Sequence, residues 1–169
     1  MSLTVTILGC GSSGGVPRPA LGWGDCNPDN PKNRRRRCSI LVEQTGASGK
    51  TSVLVDTSPD LRALLLDANV TQLDGVLFTH AHADHVHGID DLRGLFIKHR
   101  RRIDAYLDEP TSRALHARFG YCFMTPPGSG YPPILSEHRI APGEPVTIAG
   151  DGGALTALPV LLDHGDIPC

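Results

Sequence analysis

The sequence predicts a mixed α/β (α+β) fold in one domain, and three observations predict it. Leu3, Val5 and Ile7 alternate with Thr4, Thr6 and Leu8, as side chains do along a strand. Two more apolar runs, residues 39–45 and 52–56, flank Gly46-Ala47-Ser48-Gly49 and read as a hairpin. From residue 60 onward, segments with helical spacing alternate with short apolar runs. A chain of 169 residues is long enough to bury a core without disulfides or other staples, and no linker or repeat divides it.

Taken in order, the first strand, residues 3–8, opens into Gly9-Cys10-Gly11-Ser12-Ser13-Gly14-Gly15. Four glycines in seven residues permit a tight turn, and they permit equally a backbone that presents N–H groups to an anion. Residues 16–38 hold four prolines and no hydrophobic period, so they form a long loop. It ends in Lys32-Asn33-Arg34-Arg35-Arg36-Arg37, either a solvated run or a basic rim for phosphate. The second hairpin strand ends at Asp56, and residues 60–68 place Leu61, Leu64, Leu65 and Ala68 on one helical face. A strand at 76–78, a helix at 88–98, a strand at 103–107 and a helix at 110–119 follow. Residues 120–133 are a second Pro- and Gly-rich loop, and strands at 134–140, 145–148 and 154–162 complete the chain, the last delivering Asp163-His164-Gly165.

The chemistry concentrates in Thr79-His80-Ala81-His82-Ala83-Asp84-His85, directly after Val76-Leu77-Phe78. In an extended chain His80, His82 and Asp84 point to one side and His85 to the other. A bend at Ala83 and Asp84 brings His85 back, so that one metal takes His80 and His82 and a second takes Asp84 and His85. Two histidines do not close a zinc site, whereas three with an open position make a catalytic one, and His164 is the expected third ligand. For the second metal the only later candidates are Asp163, Asp166 and Cys169. The first metal is therefore expected to bind more tightly. Asp56 is either an outer acceptor that holds a ligand imidazole or a turn aspartate.

The net charge of −2 carries no bias toward nucleic acid. Residues 1–8 are too short for a signal peptide and no apolar run approaches a membrane span, so a cytoplasmic protein without a membrane partner is expected. Five cysteines, at 10, 26, 38, 122 and 169, are odd in number and widely spaced, as free thiols are.

Residues 7–17, Val55-Asp56-Thr57-Ser58-Pro59-Asp60-Leu61-Arg62, the His80 to His85 stretch with Gly88-Ile89-Asp90-Asp91-Leu92-Arg93, and Leu158-Pro159-Val160 through His164-Gly165 resemble the metallo-β-lactamase superfamily. Within it they resemble the phosphodiesterase branch that acts on phosphoribosyl cyclic phosphate and is similar to ribonuclease Z. The resemblance implies an αββα sandwich, of which mainly the N-terminal half is present. It also implies two catalytic zinc ions, with manganese as the alternative, and a small phosphodiester or nucleotide-like substrate. The expected mechanism is attack by a metal-activated hydroxide, with Asp84 and His85 as catalytic residues and Gly11, Ser12, Ser13 and Arg37 against the substrate phosphate. The branch's extra structural zinc is not expected, because Cys26 has no near partner and Cys38 is twelve residues on. Since that family continues into a second half, a longer protein is expected here, or else a homo-oligomer or a complementary segment that covers the sheet. Two alternatives stay open: a thioester or lactone hydrolase of the same fold, and a truncated metal-binding module with little activity.

Overall fold

The alternation at the N-terminus does produce a strand, β1 (Ser2–Gly9), which runs antiparallel to β2 (Ser39–Gly46) in a computed structural model that describes residues 1–165. β2 returns as β3 (Gly49–Val55) through Ala47 and Ser48 alone, with Gly46 paired to Gly49. This turn is tighter than the four-residue turn the sequence suggests, and Gly49 permits it by adopting φ +147°, which side chains disfavour.

The next elements are α1 (Leu61–Asp67), β4 (Gly75–Leu77), α2 (Ala83–Val86), a 3₁₀ turn at Ile89–Leu92, α3 (Arg93–His99), β5 (Ile103–Leu107) and α4 (Glu109–Phe119). The Asp108 carboxylate starts α4 by accepting from the Thr111 N–H at 2.9 Å, while Pro110 fills a first-turn position that needs no donor. β6 (Leu135–Arg139), β7 (Val146–Ile148) and β8 (Leu155–Ala157) follow. The sheet order is β1-β2-β3-β4-β5-β6, antiparallel through β3 and parallel from β3 onward, and β7 and β8 form a separate two-stranded sheet.

Two further sequence expectations change. The single helix over 88–98 is a 3₁₀ turn followed by α3, with α2 before it, because the chain closes tightly on residues 57–58 at Gly88. The Gly88 N–H donates to the Thr57 carbonyl, and a Cβ there would fall 2.1 Å from the Ser58 carbonyl oxygen. The strand over 154–162 shortens to β8, since Pro159 has no N–H to continue a ladder and Leu158, Val160, Leu161 and Leu162 lie exposed.

Paired residues share a face, so register shows what each side of the large sheet covers. Leu41, Leu54, Val76 and Ala105 are cross-strand neighbours and pack under α1, α2 and α4 through Leu61, Leu65, Val86 and Leu115. On the opposite side, Val53, Leu77 and Tyr106 meet Ile148, Val146 and Leu155 of the small sheet. The layers are therefore helix, large sheet and small sheet, in keeping with the expected sandwich. Leu3, Val5 and Ile7 continue that second side but stay 62%, 58% and 67% exposed.

Candidate metal centre

Parallel pairing of β3 with β4 brings the ends of the two strands together, Val55 beside Leu77, and the next residues of each build the site. Asp56 leaves β3 in the left-handed region, φ +61°, which is costly for a residue with a side chain and clusters at functional sites. Its own N–H donates to the Leu77 carbonyl at 2.8 Å, and its carboxylate turns inward, 4% exposed. There Oδ1 accepts from the Thr79 N–H at 2.9 Å, while Oδ2 accepts from the Thr79 hydroxyl at 2.8 Å and lies 2.7 Å from His85 Nδ1.

These contacts orient two imidazoles. Because the Thr79 hydroxyl gives its proton to Asp56, it accepts from His80 Nδ1 at 2.9 Å, leaving Nε2 of that ring with its lone pair. His80 Nε2 then faces His82 Nδ1 at 2.9 Å. His164 arrives from the extended segment after β8, its ring centre 4.9 Å from that of His80 and 5.3 Å from that of His82. One donor atom from each of His80, His82 and His164 lies within 4.8 Å of the others. His85 swings back because α2 begins at Ala83, where the sequence called for a bend. The loop is clamped from outside as well: the Thr57 N–H donates to the His85 carbonyl at 2.7 Å, and Arg118 of α4 donates to the Ala81 carbonyl at 2.6 Å.

The rings differ in proton affinity. Burial, followed by the fields of His85 and His82, pushes His80 down to about 4, so its lone pair is free at neutral pH. Burial acts the same way on His85, but hydrogen bonds to Asp56 and Cys38 outweigh it and raise this imidazole to about 10. A metal ion must displace that proton.

A second donor group comprises Cys38, Asp84 and His85, again within 4.8 Å of one another. His85 Nε2 is 3.5 Å from the Asp84 carboxylate, and Cys38 Sγ is 3.5 Å from the His85 ring nitrogens. Sequence reasoning weighed Cys38 only as a partner for a structural zinc and gave Thr79 no role. The signal that finds both is register, since the residue before β2 and the residues after β4 flank the end of β3. Of the later candidates for the second ion, Asp163 joins neither group among the described residues, and Asp166 and Cys169 lie outside them.

The phosphate-facing residues are arranged differently from expectation. The Gly11 N–H donates to the Arg36 carbonyl at 2.7 Å, Gly15 to Ser12 and Val16 to Arg35, so these donors of the glycine turn are used within the protein and do not present themselves to an anion. The Ser12 hydroxyl accepts from Arg18 at 2.7 Å, and Ser13 lies beside it in the same turn. The arginine run is likewise not an open rim. Arg37 forks onto Asp60 at 2.7 and 2.8 Å, and Arg36 pairs with Asp67 at 2.6 Å. Arg35 donates to Cys10 Sγ at 3.3 Å, and Arg34 lies over Trp23. Between turn and run lies a cleft of about 340 Å³ that includes Gly14, Gly15 and Arg34 to Arg37. An apolar cleft of about 260 Å³ adjoins the metal loop, lined by Leu77, Phe78, Thr79, Leu158, Val160 and Leu162 among others.

Comparison with known proteins places these features in context. The model of the beta-lactamase superfamily domain matches residues 51–168. A diphosphatase of the PhnP family is 32% identical with a TM-score of 0.81, over 98% of this chain and 59% of that one. Zinc-bound PqqB from Methylobacterium extorquens shares the fold at 21% identity and a TM-score of 0.62, over 84% of this chain and 47% of that one. YhfI from Bacillus subtilis, a metallo-beta-lactamase fold protein, does so at 20% and 0.59, over 99% and 55%. An octanoyltransferase from Porphyromonas gingivalis is 35% identical over 162 residues, which are 96% of this chain and 31% of that protein. The chain thus spans about three fifths of the diphosphatase and under a third of the octanoyltransferase.

Proposed function

The chain belongs to the beta-lactamase superfamily, and on that premise we propose that it is a zinc-dependent hydrolase of phosphodiester or phosphoanhydride bonds in a small, nucleotide-like substrate. The observation that carries the proposal is the convergence of two adjacent donor groups on one loop: His80, His82 and His164 form one and Asp84 with His85 belongs to the other, the His80 and His85 ring centres being 4.1 Å apart. Similarity to a diphosphatase supports phosphorus over carbon as the centre attacked. The donor chemistry fits the metal, because neutral imidazoles with a carboxylate suit zinc and leave a position open, and manganese is the alternative. Bound ions would supply an acidified water as nucleophile and stabilise charge on the attacking and leaving oxygens.

The chain's own residues do the rest. Asp56 and Thr79 hold Nδ1 of His85 and of His80, which fixes the tautomer and aims each Nε2 inward. Asp84, 19% exposed at its side chain, is placed both to ligate and to orient the attacking water by accepting its proton. With the N–H groups of Gly11, Gly15 and Val16 used internally, a phosphate in the cleft between the glycine turn and the arginine run would rely on Arg34 and Arg35, which pair with no carboxylate among the described residues. A cytoplasmic site of action fits the four thiols, free among the described residues.

One observation favours a second reading. The apolar cleft beside Thr79 suits an acyl chain better than a phosphate, as a thioester or lactone hydrolase requires. Turnover of an aryl phosphodiester, a diphosphate and an aryl thioester by the zinc- or manganese-loaded protein separates the two. Phosphorus substrates are expected to lead, and thioester turnover that dominates by tenfold or more would reverse the assignment. Metal binding with no turnover of any of the three would support the remaining alternative, a metal-binding module.

A further inference from the structure

We propose that Cys38 is a thiolate ligand of the second metal ion, joining Asp84 and His85. This deepens the hydrolase reading and rests on it. Three observations lead to the thiol. Its backbone is fixed over the metal loop, because the Ser39 hydroxyl next to it bonds the Val55 and Asp56 carbonyls at 3.1 and 2.9 Å and so ties the start of β2 to the end of β3. Its sulfur is 3.5 Å from His85 Nδ1 and Nε2 alike. Finally, the Asp56 carboxylate occupies Nδ1, so the nitrogen of His85 left for an ion is Nε2, which already faces Asp84.

A sulfur equidistant from two nitrogens of one ring stands beside the ring, off the lone-pair axis of either. Sharing an ion with Nε2 therefore requires a turn about the single Cα–Cβ torsion of Cys38. The movement is small. Zinc bonds of roughly 2.0 to 2.3 Å at tetrahedral angles set donor atoms about 3.3 to 3.7 Å apart. The three donors here are already within 4.8 Å of one another. On binding, the S–H bond breaks, a sulfur–metal bond forms and the proton leaves to buffer.

The chemical consequence is a division of labour between the sites. His80, His82 and His164 form a neutral set that borderline cations share readily. Cys38, Asp84 and His85 form a set with two negative charges and a soft donor, which selects zinc over manganese, magnesium or calcium. The second site then has three protein ligands and an open position, where the motif alone supplies two.

The test uses the whole chain loaded with Co²⁺ as a spectroscopic probe and with Zn²⁺ for stoichiometry. The unsubstituted protein is expected to hold two equivalents of zinc and to show a sulfur-to-cobalt charge-transfer band in the near ultraviolet. Cys38→Ser and Cys38→Ala are expected to lose the band, which loss of an outer-sphere partner would leave in place, and to hold the second zinc more weakly by about tenfold or more. The first equivalent, still bound, shows that the variants are folded. Cys10→Ser and Cys26→Ser are expected to keep the band. A band that survives in Cys38→Ser, or two equivalents bound without any band, overturns the thiolate assignment and leaves the hydrolase reading standing. Failure to bind any metal overturns both.

Discussion

Asp56 shows how much of a site can rest on one carboxylate. It gathers the Thr79 N–H, the Thr79 hydroxyl and His85 Nδ1 while its own backbone sits in a disfavoured conformation. Replacing it with Asn keeps the size but puts an NH₂ where one acceptor was, so a ligand ring must turn. Asp56→Asn is expected to weaken the second ion by about 10- to 100-fold in a chelator competition, with little change in the far-ultraviolet spectrum. His80→Ala is expected to cost the first equivalent of zinc outright by elemental analysis, since two imidazoles do not close the site. The thiols offer a contrast. Burial pushes Cys122 up to about 12, so it stays protonated and unreactive through pH 9, whereas Cys10 and Cys26 are exposed. An alkylating reagent at pH 8 is therefore expected to label Cys10 and Cys26 in the native protein and Cys122 only after unfolding. At this scale the motif histidines were legible because their meaning lies in spacing of two and three residues along the chain. Thr79 and Cys38 were not, because their partners are 23 and 47 residues away and are reached only through strand register.

Among the elements, the region over 83–92 teaches the most. Helical periodicity in the sequence is real, yet the segment breaks because Gly88 must press against Ser58. Gly88→Ala would force its new methyl into a backbone carbonyl and is expected to cost about 1–3 kcal/mol, the range for overpacking, in a urea unfolding experiment. Metal affinity should fall with it, since Thr57 on the same contact also holds the His85 carbonyl. At the other edge, β6 carries Glu137, which bonds Ser112 at 2.8 Å, His116 at 2.5 Å and Arg139 at 2.5 Å. Burial raises this carboxyl, but the hydrogen bonds from His116 and Ser112 and the charge of Arg139 outweigh it and hold it below its usual range. A depressed folded value means that its stabilisation is complete above the unfolded value, about 4.3, and is lost as pH falls through the folded one. Glu137→Gln is therefore expected to flatten the acid limb of a plot of melting temperature against pH. The strands themselves were legible from alternation and apolar runs. The lost part of the 154–162 strand was not, because an apolar run reads alike whether or not a neighbour is there to pair with it.

For the whole molecule, the helical side of the large sheet is filled and the other side is filled only where β7 and β8 lie. The outer part, Leu3, Val5 and Ile7, is apolar and exposed, as are Leu158, Val160, Leu161 and Leu162. Such surface promotes association. The 169-residue chain is expected to self-associate in sedimentation at micromolar concentration, and Val5→Lys with Ile7→Lys to restore a monomer that still binds metal. A wild-type chain that stays monomeric would show the patch to be tolerated. Every strand of the large sheet pairs with the one made just before it, so each can dock on its predecessor as the chain leaves the ribosome. Cys38, Asp56, Asp84 and His85 all lie within the first 85 residues and are in place early. His164 follows His80 by 84 residues. The nascent protein therefore assembles the thiol-containing donor group first and closes the three-histidine group last.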